Sequence, residues 1–396
     1  MSTNLYRTNS NSFLNLMFNM ALIALTFASF IYVVASPFGK ENYVRIADYL
    51  FLGAALFIVF ISFFENHSFK RMVPLLAILF VCFLSLLIGG VSSKSIVSFL
   101  WYFAMLSIWI ATDLFDVHKN TLKFIKIAII IEGLILIVLF FTDRAYFSYT
   151  QYGGISKELT LGFNNPNETG LILFFIISFL VIIFNNSRRL FLKIICLLEM
   201  LFLFFLLVKT DARTSLIATI FLLLFTILFW LKKHKPHLNL HSLNSWAVFC
   251  IIFPLLFFIG YSIFSKVSSL ESITFLGKKV FSGRERVYNE SILSWNNYAF
   301  GNMSSLAFSN AHNGLLTILI NTGLIGIVFY LVFVIREVFF INQKMLYRRK
   351  FLFPALIVYL IFLISSAEAT VLVGGTIFYF YELLTLTIFH HEFKNE

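Results

Sequence analysis

The sequence predicts an all-α polytopic membrane protein of about 12 transmembrane helices, with a large extracytoplasmic loop between helices 9 and 10. Three observations carry that expectation. Hydrophobic residues make up 60% of the 396 and charged residues only 12%, about half the charged share of a soluble domain. Mean hydropathy is +0.90. Runs of about 20 mostly apolar residues, the length that crosses a bilayer, recur along the whole chain.

The first run, 13–35, is preceded by Arg7 alone and shows no small-residue cleavage site, so it reads as an anchor and not a removable leader. Further runs stand at 46–64, 73–90, 96–111, 124–141, 170–185, 190–208, 215–231, 246–264, 314–335, 352–366 and 371–390. The turns at 186–189 and 209–214 are tight, and no internal repeat, heptad array or low-complexity linker interrupts the series. One integral membrane domain, 1–396, is expected, with the large outer loop 265–311 within it. The 52 Phe are read as codon bias of an AT-rich genome together with lipid-facing tolerance. Cys82, Cys196 and Cys250 all lie inside apolar runs, so neither a disulfide framework nor a metal cluster is indicated.

The formal charge of +11 would suggest nucleic acid in a soluble protein. Here loop position explains it, and no nucleic-acid partner is expected. With both termini in the cytoplasm, 18 of the 30 Lys and Arg fall on inner segments, the positive-inside bias. The runs "KKHK" (232–235) and "YRRK" (347–350) then determine topology or meet anionic lipid. This orientation leaves two long loops outside, 142–169 and 265–311, and loops beyond about 12–15 residues are uncommon unless functional or disordered.

The second loop contains "SGRERVYNESILSWNNYAFGN" and leads into "SNAHNGLLTILINTGLIGIVFYL", residues 309–331. His312 and Asn313 stand at the entrance of that span, with Gly323 and Gly326 further along. A continuous helix would place Gly323 about 16 Å below His312. The two glycines would share nearly one face and admit a neighbouring helix. The expectation is a rigidly packed helix presenting a histidine at its outer mouth. Asn313 is also suited to cap that helix, and His312 alone is equally read as a satisfied interfacial histidine.

The His-Asn, nine residues, Gly-x-x-Gly pattern, joined to this topology, resembles the signature of the O-antigen ligase and O-antigen/exopolysaccharide polymerase (Wzy) superfamily. That resemblance covers most of the chain. It implies a metal-independent glycosyltransferase, without cofactor, acting on glycans carried by undecaprenyl diphosphate at the outer face of the bacterial cytoplasmic membrane. The family histidine is matched by His312. An arginine at the outer entrance to the eighth span is matched by Arg213, in "KTDARTSLIA", and one in the large loop by Arg284, in "SGRER". A looser match, "GFNNPNETGLILF", offers Asn164, Asn165 and Asn167. Flippase and chain-length-regulator proteins are the protein partners such a role implies, beside the lipid bilayer and the lipid-linked oligosaccharide.

These residue types suit the chemistry. Arginine stays charged, and its planar fork binds phosphate oxygens in pairs. Histidine titrates close to working pH and can take a proton from an acceptor hydroxyl. Arg213 and Arg284 are therefore expected to hold the donor diphosphate and His312 to act as general base. Asn313 and Arg286 are candidate supports, and Lys209, Lys278 and Lys279 can add to the anion-binding field. The bland alternatives stay open: Arg213 pairing with Asp211, and Arg284 pairing with Glu285 or Glu290. Tyr288, Trp295 and Tyr298 form either a sugar-stacking platform or loop core.

Polymerase is the favoured activity, with a ligase transferring glycan to lipid A core as the first alternative. A polysaccharide transporter or flippase is the alternative of another class. Its support is the set of mid-span carboxylates Glu132, Glu199 and Glu382. Against it, the two halves show no evident repeat.

Overall fold

A computed structural model describes residues 12–64, 69–111, 115–151, 154–163, 165–231, 239–264, 274–275, 278–279, 284–293, 295, 297–303, 312–347 and 352–367. The helices among them are α1 (Ser12–Ala35), α2 (Glu41–Ser62), α3 (Phe69–Ile88), α4 (Ser93–Ala111), α5 (Lys119–Phe140), α6 (Pro166–Asn186), α7 (Leu190–Lys209) and α8 (Arg213–Leu231). They continue with α9 (Leu240–Phe264), α10 (Arg284–Leu293), α11 (Gly314–Tyr347) and α12 (Leu352–Ile364). Six of these stretches are long and apolar enough to cross a membrane, and shorter apolar helices stand beside them. The chain is thus a helical, multi-pass membrane protein. The expected run at 371–390 lies outside the described residues.

Burial separates the centre of the bundle from its rim. Helix α6 is apolar on every face and buried continuously from Thr169 to Ile183, as a helix that is hydrophobic all round should be. It packs against α5, α7 and α8. Helices α7 and α9 instead turn large side chains outward, among them Phe191, Leu198, Leu201, Phe249 and Ile259. Those faces suit hydrocarbon. Polar side chains fasten the turn before α5: Asn15 Oδ1 accepts from the Asp116 amide (3.0 Å), and Asn19 Oδ1 from the His118 amide (2.8 Å).

The loop 142–169 is not wholly irregular. It carries an antiparallel hairpin, β1 (Tyr146–Gln151) with β2 (Gly154–Leu159), Gln151 standing opposite Gly154. A second pair, β3 (Thr274–Phe275) with β4 (Lys278–Lys279), lies in the second long loop. Gly162, at φ 86°, lets the chain pass directly over the Pro37 backbone, where a Cβ would clash.

One expectation about the span after the second loop is overturned: the helix is not continuous. Gly323 adopts φ 69°, ψ −173° and divides α11 into 314–322 and 324–347. Residues 297–303 dock into the break. The Leu324 and Ile325 amides donate to the Tyr298 and Ala299 carbonyls (2.9 and 3.2 Å), and the Asn302 amide donates to the Ile320 carbonyl (3.0 Å). The Ser85 hydroxyl donates to the Asn321 carbonyl, and Asn321 Nδ2 to the Tyr102 hydroxyl (3.0 Å). A Cβ on Gly323 would overlap the Ala299 carbonyl, and one on Gly301, itself at φ 73°, would overlap the Asn321–Gly323 backbone. Gly326 plays the part the sequence suggests, bringing α11 close to Val81 of α3.

The two pieces run in opposite senses. Asn313 bonds to the Pro254 carbonyl of α9, while Leu316 and Ile320 cluster with Phe257, Phe258 and Tyr261 of the same helix. Residues 314–322 therefore run parallel to α9. Asn342 bonds to Asn244, so 324–347 runs back along α9 the other way. At 1.5 Å per residue His312 lies about 12 Å deeper in the bundle than the Gly323 turn. The expected depth order is reversed.

Candidate functional site

His312 and Asn313 sit where α11 begins. His312 is exposed and takes left-handed backbone at φ 45°, a conformation that costs a non-glycine residue roughly 1 kcal/mol and that clusters at functional sites. Asn313 beside it is fully buried and doubly employed. Its Oδ1 accepts from the Leu316 amide (3.0 Å) and caps the helix. Its Nδ2 donates to the carbonyls of Pro254 (2.8 Å) and Ser366 (3.1 Å). The Gly314 amide adds a bond to the Ser365 carbonyl (2.8 Å). Asn313 thus ties α9, α11 and the end of α12 into one junction.

That junction explains why α12 is short. Its 13 residues span about 20 Å, less than a hydrocarbon core of about 30 Å. The helix stops inside the bundle, and its carboxyl end faces the amino end of α11. Opposite partial charges meet there.

Arg213 comes to the same depth from the other side. Phe225 of α8 packs edge-on against Phe353 of α12 (6.4 Å), and the two helices are in contact. Twelve residues up α8 from Phe225 is Arg213; twelve residues up α12 from Phe353 is Ser365. The first residue of α8 therefore lies level with the α11–α12 junction. Arg213 is half-buried and follows Asp211, which has left-handed backbone at φ 56°. The same local device, a left-handed residue two before the helix, opens both α8 and α11.

The start of α6 completes this wall. Asn165 is the N-cap, its side chain accepting from the Glu168 amide (2.8 Å), with Pro166 next. Gly170, one turn further, is pressed so close to Ala212 that a Cβ would overlap it. Asn167 lies three residues before Gly170 and so shares its α8-facing side; it is half-buried. Glu168 turns toward α1, where its Oε1 accepts from the Tyr32 hydroxyl. The amino terminus of α11 is thus bonded to the carboxyl end of α12, and those of α6 and α8 pack against one another. Such ends present unpaired N–H groups and partial positive charge.

The remaining candidates divide. Arg284 and Arg286 stand on the first turn of α10, and their side chains lie outside the described residues, as do those of Lys278 and Lys279 on β4. Helix α10 is anchored on α9 by Tyr288, edge-on to Phe258 (5.2 Å) and Tyr261 (5.5 Å), about one to two turns from Pro254. Tyr288 is therefore core and no stacking platform. Tyr298 is 63% exposed and edge-on to Trp295 at 4.9 Å. Lys209 is exposed, its ammonium 5.7 Å from the Phe205 ring centre. Asn164 and Glu382 lie outside the described residues.

Glu132 and Glu199 are both buried, and Glu199 packs against Gly133 with no hydrogen-bond partner for its carboxylate among the described residues. Sequence reasoning passed over the Gly323 break and the Ser85–Asn321–Tyr102 cluster beside it. The signal was present in "INTGLIG", where Asn321, Thr322 and Gly323 put three helix-weakening residues together inside an apolar run. No described group of three His, Cys, Asp or Glu is placed to hold a metal. The three cysteines are free and buried. Comparison of the chain with family models, curated proteins and solved structures returns no match.

Proposed function

We propose that this protein is a polysaccharide polymerase, a glycosyltransferase that moves glycan from an undecaprenyl-diphosphate donor onto a lipid-linked repeat unit at the outer face of the bacterial cytoplasmic membrane. What supports the reading is the common depth of Arg213 and the His312–Asn313 helix start, the latter bonded to the end of α12. In this reading Arg213 and Arg284 hold the diphosphate, assisted by the partial positive charge at the starts of α6 and α8. The bond between the anomeric carbon and the diphosphate oxygen breaks, and the acceptor hydroxyl oxygen takes its place on that carbon. His312 receives the hydroxyl proton, and undecaprenyl diphosphate leaves. Asn313 holds the histidine's backbone, and Asn165 and Asn167 line the donor side. Twelve spans, cytoplasmic termini and an outward-facing site belong to the same proposal, as do a flippase and a chain-length regulator as partners.

The test uses purified protein, a lipid-diphosphate-linked repeat unit and EDTA, with products resolved as a ladder. The reading expects a ladder from wild type, none from His312→Ala, and strong loss in Arg213→Lys, since a point charge does not replace the fork. Transfer only to an added lipid A core would make the protein a ligase. The buried Glu132 and Glu199 and the interrupted α11 favour a transporter as second reading. Substrate crossing the membrane with no new glycosidic bond would establish it.

A further inference from the structure

Six cations stand where α5 and α7 begin and α6 ends: Lys119, Lys123 and Lys126 on α5, Arg188 and Arg189 in the turn after α6, and Lys193 on α7. We propose that this three-helix face binds an anionic phospholipid of the adjacent leaflet, at the opposite end of α6 from the Arg213 wall.

Packing brings the charges together. A Cβ on Gly133 of α5 would overlap the Glu199 carboxylate of α7 and press on Ile176 of α6, so those three residues share one layer. Phe140 meets Phe202 and Phe205 (6.1 and 6.0 Å) further along, so α5 and α7 run parallel. Lys126 stands two turns before Gly133 and on nearly the same side of α5. Lys193 precedes Glu199 by a similar length, and its ammonium lies 5.6 Å from the centre of the Phe184 ring of α6. Lys126 and Lys193, both half-buried, are therefore level with one another. Lys119, Lys123, Arg188 and Arg189 are exposed beyond them.

Charge sets the class of ligand. None of the six forms an ion pair among the described residues, and the sequence carries no acid over 117–131 or 169–198. Asp116, on the turn held by Asn15 and Asn19, is the nearest acid along the chain. His118 and Arg189, the residues before α5 and α7, give no side-chain cap, so both helix starts add partial positive charge. A choline or ethanolamine head brings its own cation, which meets like charge here. A net-anionic head is attracted by all of it. Deeper along the same helices the surface turns apolar: Ile127 and Ile131 continue the Lys123 stripe of α5, and Ile194 and Leu198 face outward on α7. Cations at the helix ends with apolar stripes behind them match a headgroup and its acyl chains, and a free phosphate would use only the first.

The experiment is native mass spectrometry of the full chain released from vesicles of equimolar phosphatidylglycerol and phosphatidylethanolamine. The expected result is about a tenfold excess of retained phosphatidylglycerol. Lys126→Gln with Lys193→Gln should bring the two lipids to within about twofold, while Lys126→Arg with Lys193→Arg should keep the excess. Lys70→Gln with Arg71→Gln removes two charges from α3, which packs on α4 and α11, and should leave the excess as in wild type. Equal retention of the two lipids by wild type, or an unchanged excess in the double glutamine variant at 126 and 193, would overturn the proposal. The same loss from the α3 pair would overturn it too, by showing general surface charge and no site. So would release of the bound lipid by inorganic phosphate at equal concentration, which would mean the anion alone is recognised.

Discussion

The chain is interrupted twice, at Gly323 near the ends of α3 and α9 and, deeper in the bundle, at the meeting of α11 with α12, and the two interruptions are built differently. At Gly323 the protein seals itself. Residues 297–303 occupy the gap, and carbonyls and amides on both sides of it find partners in that loop or in Ser85. At the other interruption Asn313 and Gly314 bind the end of α12, yet His312 beside them stays exposed. Non-helical backbone is tolerated at membrane depth only where protein buries it or water reaches it. The first break follows the burial route. The second keeps an exposed histidine with left-handed backbone at its edge and Arg213 level with it, and is the site in the proposed reading. A helix break is therefore not by itself a binding site; what fills it decides.

That contrast can be broken from the sealed side first. Gly323→Ala and Gly301→Ala should have the largest effect, about 4 kcal/mol or more, because each adds a Cβ to backbone-on-backbone contact at positive φ. Loss of monodisperse protein in fluorescence-detected size exclusion is the expected readout; a wild-type melting profile for either variant would show that the loop is not lodged in the break. Asn313→Ala comes next, at about 2–4 kcal/mol, combining a lost cap with two buried carbonyls left short of a donor. Asn313→Asp separates those parts. It keeps the cap acceptor but turns a carboxylate toward the Pro254 and Ser366 carbonyls, so it should melt no higher than the alanine variant. Ser85→Ala should cost about 1 kcal/mol and leave turnover intact, which sharpens the distinction between a break that holds and a break that reacts. Tyr298→Ala is the smallest, within about 0.5 kcal/mol, against about 3–5 kcal/mol for removing the buried ring of Tyr288.

The helices were legible because length and hydropathy govern spans, and α6 to α9 begin and end close to where apolar runs do. The hairpin at Tyr146–Leu159 was hidden inside a stretch read only as a long loop. Arg213, His312 and Asn313 were legible as types in a pattern. Their common depth was not, because it depends on Phe225 meeting Phe353 and on the reversal at Gly323. The same two glycines were read as a helix-packing face. Gly326 fulfils that role; Gly323 does not, since a positive φ leaves no trace in a spacing rule. The cap role of Asn313 was anticipated, but its bonds to Pro254 and Ser366 join residues 59 and 53 positions apart, beyond any local reading.

The most direct measurement compares the two interruptions by chemical access. His312→Cys and Thr322→Cys, made in a chain whose own cysteines are buried, would be exposed on intact cells to a membrane-impermeant maleimide. The account predicts labelling at position 312 that added lipid-diphosphate-linked oligosaccharide suppresses, and none at position 322. Equal labelling of both, or labelling of 322 alone, would contradict it.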